Sequence, residues 1–247
     1  MDGIAQQLRD LAVANRILAN EGVVDAFGHI SIRHPSNPER FLLSRSRSPE
    51  LVEPEDIMEF DLDCNAIGDE RSAYLERFIH GPIYAARPDV QSVVHSHADE
   101  VLPYTITKEP LRPVIHVASQ IGLEIPVWDI RERFGDTKLL VTTLEQGRDL
   151  ARCLGNNNVA LMRGHGFVSV GRFLVEAVKT AVYMPRNAQV LSEAKRFGEV
   201  TTLTLGEIEV RSKVTAYSNE MRRAWEYWGR RAGCTHLMGE AKPAGGE

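Results

Sequence analysis

The chain has 247 residues, 43% of them hydrophobic, which is enough for one sizeable core at a length where a single α/β domain is common. Twenty-nine Lys and Arg against 34 Asp and Glu give a formal net charge of −5, with no run of like charge, so a basic field for nucleic acid is excluded and small-molecule partners are expected. No apolar run reaches the ~18 residues of a membrane span, and the opening segment lacks the basic, apolar and small-residue succession of a secretory signal, so a cytoplasmic protein is expected.

Ile4, Leu8, Leu11, Ala12, Ile17 and Leu18 recur at helical spacing up to Glu21 and Gly22, which predicts an opening amphipathic helix with glycine as its stop. HISIRH and RFLLSR are two strands around the turn PSNPER, and DIMEFDLDCNAI carries the alternation into another hairpin. Strands in such close succession imply antiparallel pairing. SAYLERFIHGPIYAARPDV returns to helical spacing, with Leu75, Phe78, Ile79 and Ile83 on one face, Glu76 and His80 four apart on another, and a bend at Gly81 and Pro82. VQSVVHSH and KLLVTT read as strands, and TLEQGRDLARCLG as a helix closed by Gly155. VALMRGHGFVSVG gives two short strands around a glycine-bracketed histidine, followed by a long helix with a kink at Pro185.

The C-terminal EVRSKVTAYSNEMRRAWEYWGRRAG has helical composition, and its aromatic residues at 217, 225, 227 and 228 cover either the protein's own core or a neighbouring subunit. With no repeat or linker, one domain over residues 1–236 is expected, followed by a disordered tail over 237–247. Cys64, Cys153 and Cys234 are too far apart for a metal knuckle or redox pair and read as reduced structural thiols.

Side chains alternate across a strand, so His95 and His97 project to the same side and two imidazoles can share a metal ion. His165 follows the apolar run Val159 to Met162, and Gly164 and Gly166 leave its backbone unencumbered, which suits delivery into a crowded site. Three neutral imidazoles with an open position are the arrangement of a catalytic zinc or similar divalent ion, whereas closed structural sites use four ligands, often cysteines. Glu76 is the carboxylate to bring to this centre, as a metal ligand or as an acid/base beside it. His80 either orients Glu76 or is a partly buried histidine satisfied by a backbone carbonyl.

At this point YLERFIHGPIYAARPDVQSVVHSHA, followed by LMRGHGFVSVG and LVEAV, resembles the class II aldolase/adducin family over about residues 5 to 205, because the glutamate, the spaced histidine pair and the glycine-flanked histidine occur in family order and spacing. By that resemblance His95, His97 and His165 match the metal ligands and Glu76 the catalytic carboxylate. The resemblance implies an α/β fold, a three-layer α/β/α sandwich around a largely antiparallel sheet, and a homotetramer with active sites near subunit interfaces. It also implies one divalent metal per chain, zinc first, with manganese, cobalt or iron as other candidates.

The departures bear on substrate. Sugar-phosphate aldolases of this family cradle phosphate with a glycine-asparagine pair, a small threonine/glycine turn and two serines before the glutamate. Here His29 stands for the asparagine, Ser44, Arg45, Ser46 and Arg47 for the turn, and Tyr74 and Leu75 for the serines. An arginine offers a planar fork suited to carboxylate, so Ser44, Arg45 and Arg47, with His29, Tyr74 and His80, are the expected substrate-binding residues for a small carboxylated molecule. Together with PLRPVIH and RAWEYW, this pattern looks like the decarboxylase branch of the family, which acts on 3,4-dihydroxyphthalate and hydroxy-carboxymuconic semialdehydes in bacterial aromatic catabolism. A sugar-phosphate aldolase or epimerase is the enzymatic alternative. A non-enzymatic module like the adducin head is the other, although all three histidines and the glutamate are present.

Overall fold

The computed structural model describes residues 2–211, 213 and 215–238. Helix α1 (Asp2–Asn20) opens the chain, and β1 (His29–Arg33), β2 (Arg40–Ser44) and β3 (Ile57–Asp61) follow as an antiparallel meander. A 3-10 turn, Leu75–Ile79, runs into α2 (His80–Ala86) and then β4 (Ser92–Ser96). Next come α3 (Leu102–Ile106), β5 (Val127–Trp128), α4 (Arg131–Phe134) and α5 (Leu144–Leu154). The hairpin β6 (Val159–Met162) and β7 (Gly166–Gly171) leads into α6 (Leu174–Phe197), α7 (Leu205–Arg211) and α8 (Asn219–Arg231).

Among the described residues, seven strands form one sheet in the order β3-β2-β1-β4-β7-β6-β5, antiparallel except where β5 meets β6. The strand alternation divides the core into two layers. On one face Ile30, Ile32, Val94, Leu161 and Phe167 pack against α1, α6 and α8. On the other, Phe41, Leu43, Val93, Val168 and Val170 pack against α2 and α5. The result is the expected three-layer α/β/α sandwich with a largely antiparallel sheet. No helix among the described residues is long and apolar enough to cross a membrane.

Local chemistry accounts for the elements that place the site. Helix α5 begins at Thr143, whose side chain accepts from Gln146 N while the Gln146 side chain reaches back, satisfying two otherwise orphaned donors. It closes at Gly155. Gly147 lets α5 approach the 3-10 turn, because a Cβ there would lie 2.0 Å from the Phe78 carbonyl oxygen. Gly147→Ala is expected to lower stability by about 1–3 kcal/mol through overpacking, seen as a drop in Tm of the intact protein. An unchanged Tm would show that α5 can withdraw from the turn without cost.

Three expectations are corrected. The segment around Glu76 is not one continuous helix: Glu76 has φ −90° and ψ 19°, and this kink turns Glu76 inward while leaving Leu75 66% exposed rather than on the apolar face with the buried Ile79 and Ile83. KLLVTT is an irregular connection with Leu139 at φ 63°, not a strand, and the short β5 pairs with β6 there instead. The C-terminal segment divides into α7 and α8, with Trp228 buried in the core, Trp225 packed against it, and Tyr217 and Tyr227 exposed. Pro185 lies inside α6. The expected tail falls outside the described residues from 239 onward, and Leu237 is buried in the core. The three cysteines are unpaired, with Cys64 and Cys234 buried.

Candidate metal centre

His95 lies near the end of β4, opposite His29 on β1 and Val168 on β7, and His97 follows just past the strand. His165 sits in the β6–β7 turn, its N–H bonded to the Met162 carbonyl at 3.0 Å. The turn can come this close to β4 because residue 166 is glycine: a Cβ there would lie 2.0 Å from the Ser96 carbonyl oxygen. Glu76 enters from the kinked turn. Its Oε1 accepts the Val141 N–H at 2.9 Å, and its Oε2 stands 3.6 Å from His95 Nε2 and 3.5 Å from His165 Nε2.

The three imidazoles converge through one kind of atom. His97 Nε2 is 2.9 Å from His95 Nε2 and 3.0 Å from His165 Nε2, and one ligand atom from each of the four residues lies within 4.8 Å of the others. His95 Nδ1 donates to the Phe167 carbonyl at 3.1 Å, so in the neutral ring Nε2 carries a lone pair aimed at the cluster. His165 Nδ1 is buried without a partner among the described residues. Burial, reinforced by His95 and His165, pulls the His97 imidazole down to about 4, so it is neutral at neutral pH. Three imidazole nitrogens converging with one carboxylate oxygen on one point fit a divalent cation. Burial works against ionisation of Glu76, but the adjacent His165 and His95 rings, 3.5 and 3.6 Å away, outweigh it and hold the group below the usual carboxylate range. The resting side chain is therefore a carboxylate, suited to acting as a ligand or base.

The expected substrate-binding residues fall into two groups. His29 and Tyr74 adjoin the centre: the His29 ring centroid is 4.7 Å from that of Tyr74 and 5.3 Å from that of His95. The Tyr74 hydroxyl donates to the Arg47 carbonyl, which ties this wall to the SRSR segment. Arg45 and Arg47 are clasped by one residue that the sequence did not single out. Arg45 Nε donates to Asp56 Oδ1 at 2.6 Å, and Arg47 Nη1 to Asp56 Oδ2 at 2.8 Å. Two cations share one buried carboxylate, so one positive charge is left over. Ser44 is fully buried, its hydroxyl donating to the Arg45 carbonyl at 2.8 Å. His80 is also fully buried. It makes no bond to Glu76 and instead meets Ser31 and His29 with its two ring nitrogens. The group that orients Glu76 is the Val141 N–H, a backbone donor with no sequence signature.

Comparison with known proteins places this geometry among related chains. Residues 9–192 match the model of the Class II Aldolase and Adducin N-terminal domain. The chain is 36% identical over 235 residues to decarboxylase tropJ of Talaromyces stipitatus, covering 86% of this chain and 88% of that protein. It is 30% identical over 188 residues to a 3,4-dihydroxyphthalate decarboxylase of Arthrobacter keyseri, covering 70% and 72% respectively. Its fold matches the crystal structure of an aldolase II superfamily protein from Pseudomonas syringae with a TM-score of 0.76 at 20% identity, over 94% of each chain.

Proposed function

The chain belongs to the class II aldolase and adducin N-terminal domain family, and on that premise we propose that it is a metal-dependent decarboxylase of a hydroxylated aromatic carboxylate or ring-cleavage product, with 3,4-dihydroxyphthalate as the first candidate. The observation that carries the reading is the Glu76–His95–His97–His165 cluster beside a wall of His29 and Tyr74, connected through Tyr74 to two arginines that hold one uncompensated positive charge. Similarity to decarboxylases along most of the chain supports it.

A divalent ion, zinc first, held by His95, His97 and His165 would supply Lewis-acid stabilisation of the charge left behind when carbon dioxide departs. Arg45 and Arg47, fixed by Asp56, direct their unused N–H donors at a carboxylate of the substrate. Tyr74 and His29 line the planar ring and exclude water from it. Glu76, ionised at rest, would take the proton of a substrate hydroxyl and return it to the ring carbon that loses its carboxylate, with the Val141 N–H keeping Oε1 in place. Assembly as a homotetramer with sites near subunit interfaces, in the cytoplasm, belongs to the same proposal.

The test is direct. Purified protein should carry about one divalent ion per chain and convert 3,4-dihydroxyphthalate with stoichiometric release of carbon dioxide, and chelation should abolish turnover until metal is restored. Intact substrate with metal-loaded protein overturns the substrate assignment. Cleavage of a ketose phosphate without release of carbon dioxide would move the chain to the aldolase reading.

A further inference from the structure

Behind the candidate centre lies a chain of hydrogen bonds that the proposed chemistry has not used. The Tyr84 hydroxyl is 2.8 Å from Ser31 Oγ, Ser31 Oγ is 2.6 Å from His80 Nδ1, and His80 Nε2 is 2.7 Å from His29 Nδ1. All four residues are buried, none more than 3% exposed. The fold explains how they meet. His29 and Ser31 are two apart on β1 and face the α2 layer, and His80 and Tyr84 are four apart on one face of α2.

The direction of this chain follows from proton counting. A buried phenolic proton left without an acceptor is costly, and the acceptor that Tyr84 meets is Ser31 Oγ. Once Ser31 accepts from Tyr84, its own proton goes to its other partner, His80 Nδ1. The proton of neutral His80 then sits on Nε2 and is donated to His29 Nδ1. The proton of His29 is thereby left on Nε2, which no protein group bonds among the described residues. Because His29 Nδ1 accepts, that nitrogen carries no proton, and the ring is the neutral Nε2–H form. Reversing the chain would strand the Tyr84 proton.

We propose that Tyr84, Ser31 and His80 are positioning residues that lock His29 as its Nε2–H tautomer, making it a neutral hydrogen-bond donor to an acceptor-only oxygen, carboxylate or enolate, of a substrate beside the His95 centre. The tautomer stands on the chain alone, whereas the oxygen it meets rests on the decarboxylase reading. Such a wall admits a substrate with an anionic oxygen at that position and rejects one that presents a donor there, because two donors would then face each other.

Nitrogen-15 NMR of the protein labelled on histidine, with and without zinc, reads the tautomer independently of any reaction. In the wild type His29 should show a protonated Nε2 and a bare Nδ1. Tyr84→Phe and Ser31→Ala, which remove one hydroxyl each, should both release His29 and His80 into mixed tautomers while circular dichroism stays unchanged. In the same two variants KM for 3,4-dihydroxyphthalate should rise about tenfold with kcat held within about threefold, the loss of one oriented hydrogen bond to a charged acceptor. A wild-type His29 protonated on Nδ1 overturns the proposal whether or not the variants fold, as does an unchanged tautomer in both. Lack of turnover on any carboxylate, with the NMR pattern as expected, would count against the decarboxylase reading and leave the tautomer lock intact.

Discussion

His165→Ala should lower bound metal from about one ion per chain to a small fraction and reduce kcat/KM by about 10³-fold or more, because Lewis-acid stabilisation worth several kcal/mol disappears with the ion. His165 is the informative ligand to remove. It sits in a turn rather than in a strand, and its Nδ1 has no partner among the described residues, so truncation costs the fold little. His95 is different: its Nδ1 bond to Phe167 and complete burial between β1 and β7 mean that its loss would mix metal effects with folding effects. Metal content by elemental analysis, circular dichroism and turnover together decide the matter. A folded His165→Ala protein that keeps its metal and its turnover would eliminate the three-imidazole centre.

Glu76→Gln should keep the metal and lower kcat by about 10²–10⁴-fold, the scale of a lost proton-transfer group. The amide is nearly isosteric, and its oxygen can still accept the Val141 N–H, so the turn and its kink are preserved. What is removed is a negative charge at the atom facing His95 and His165. In the wild type that carboxylate is held below its ordinary value near 4.5 by the histidines, despite burial. Its charged form is therefore present across the range where a free glutamate titrates, and turnover should show no acid limb from this group there. Unchanged kcat in Glu76→Gln would take Glu76 out of the chemistry. Loss of metal would assign it as a ligand instead.

The sequence carried the parts of the site whose periodicity is local. Two histidines at strand spacing, a histidine between glycines at a strand end and a glutamate shortly before them are readable because alternation and glycine punctuation are short-range properties. The antiparallel strands at the start were legible for the same reason, whereas the three-layer sandwich was implied by the resemblance to the class II aldolase/adducin family. The split within the C-terminal helices, the kink at Glu76 and the loss of KLLVTT as a strand were not, since each depends on which neighbour wins a contact. Leu75 shows this well: helical spacing put it on the apolar face, but turning Glu76 toward the histidines left it 66% exposed.

By itself, then, the sequence determined a layered α/β protein with three imidazoles and a carboxylate available to one centre, and substrate-facing segments unlike a phosphate cradle. Only the tertiary structure decided how those groups are held. Asp56 reaches back across 11 and 9 residues to clasp Arg45 and Arg47, Val141 N–H fixes Glu76 from 65 residues away, and α2 threads His80 and Tyr84 onto Ser31 and His29 across about 50. A hydrogen bond depends on distance and angle to about a few tenths of an ångström, whereas sequence spacing fixes geometry only within one element. Partners from different elements acquire that precision when the sheet and its two layers pack.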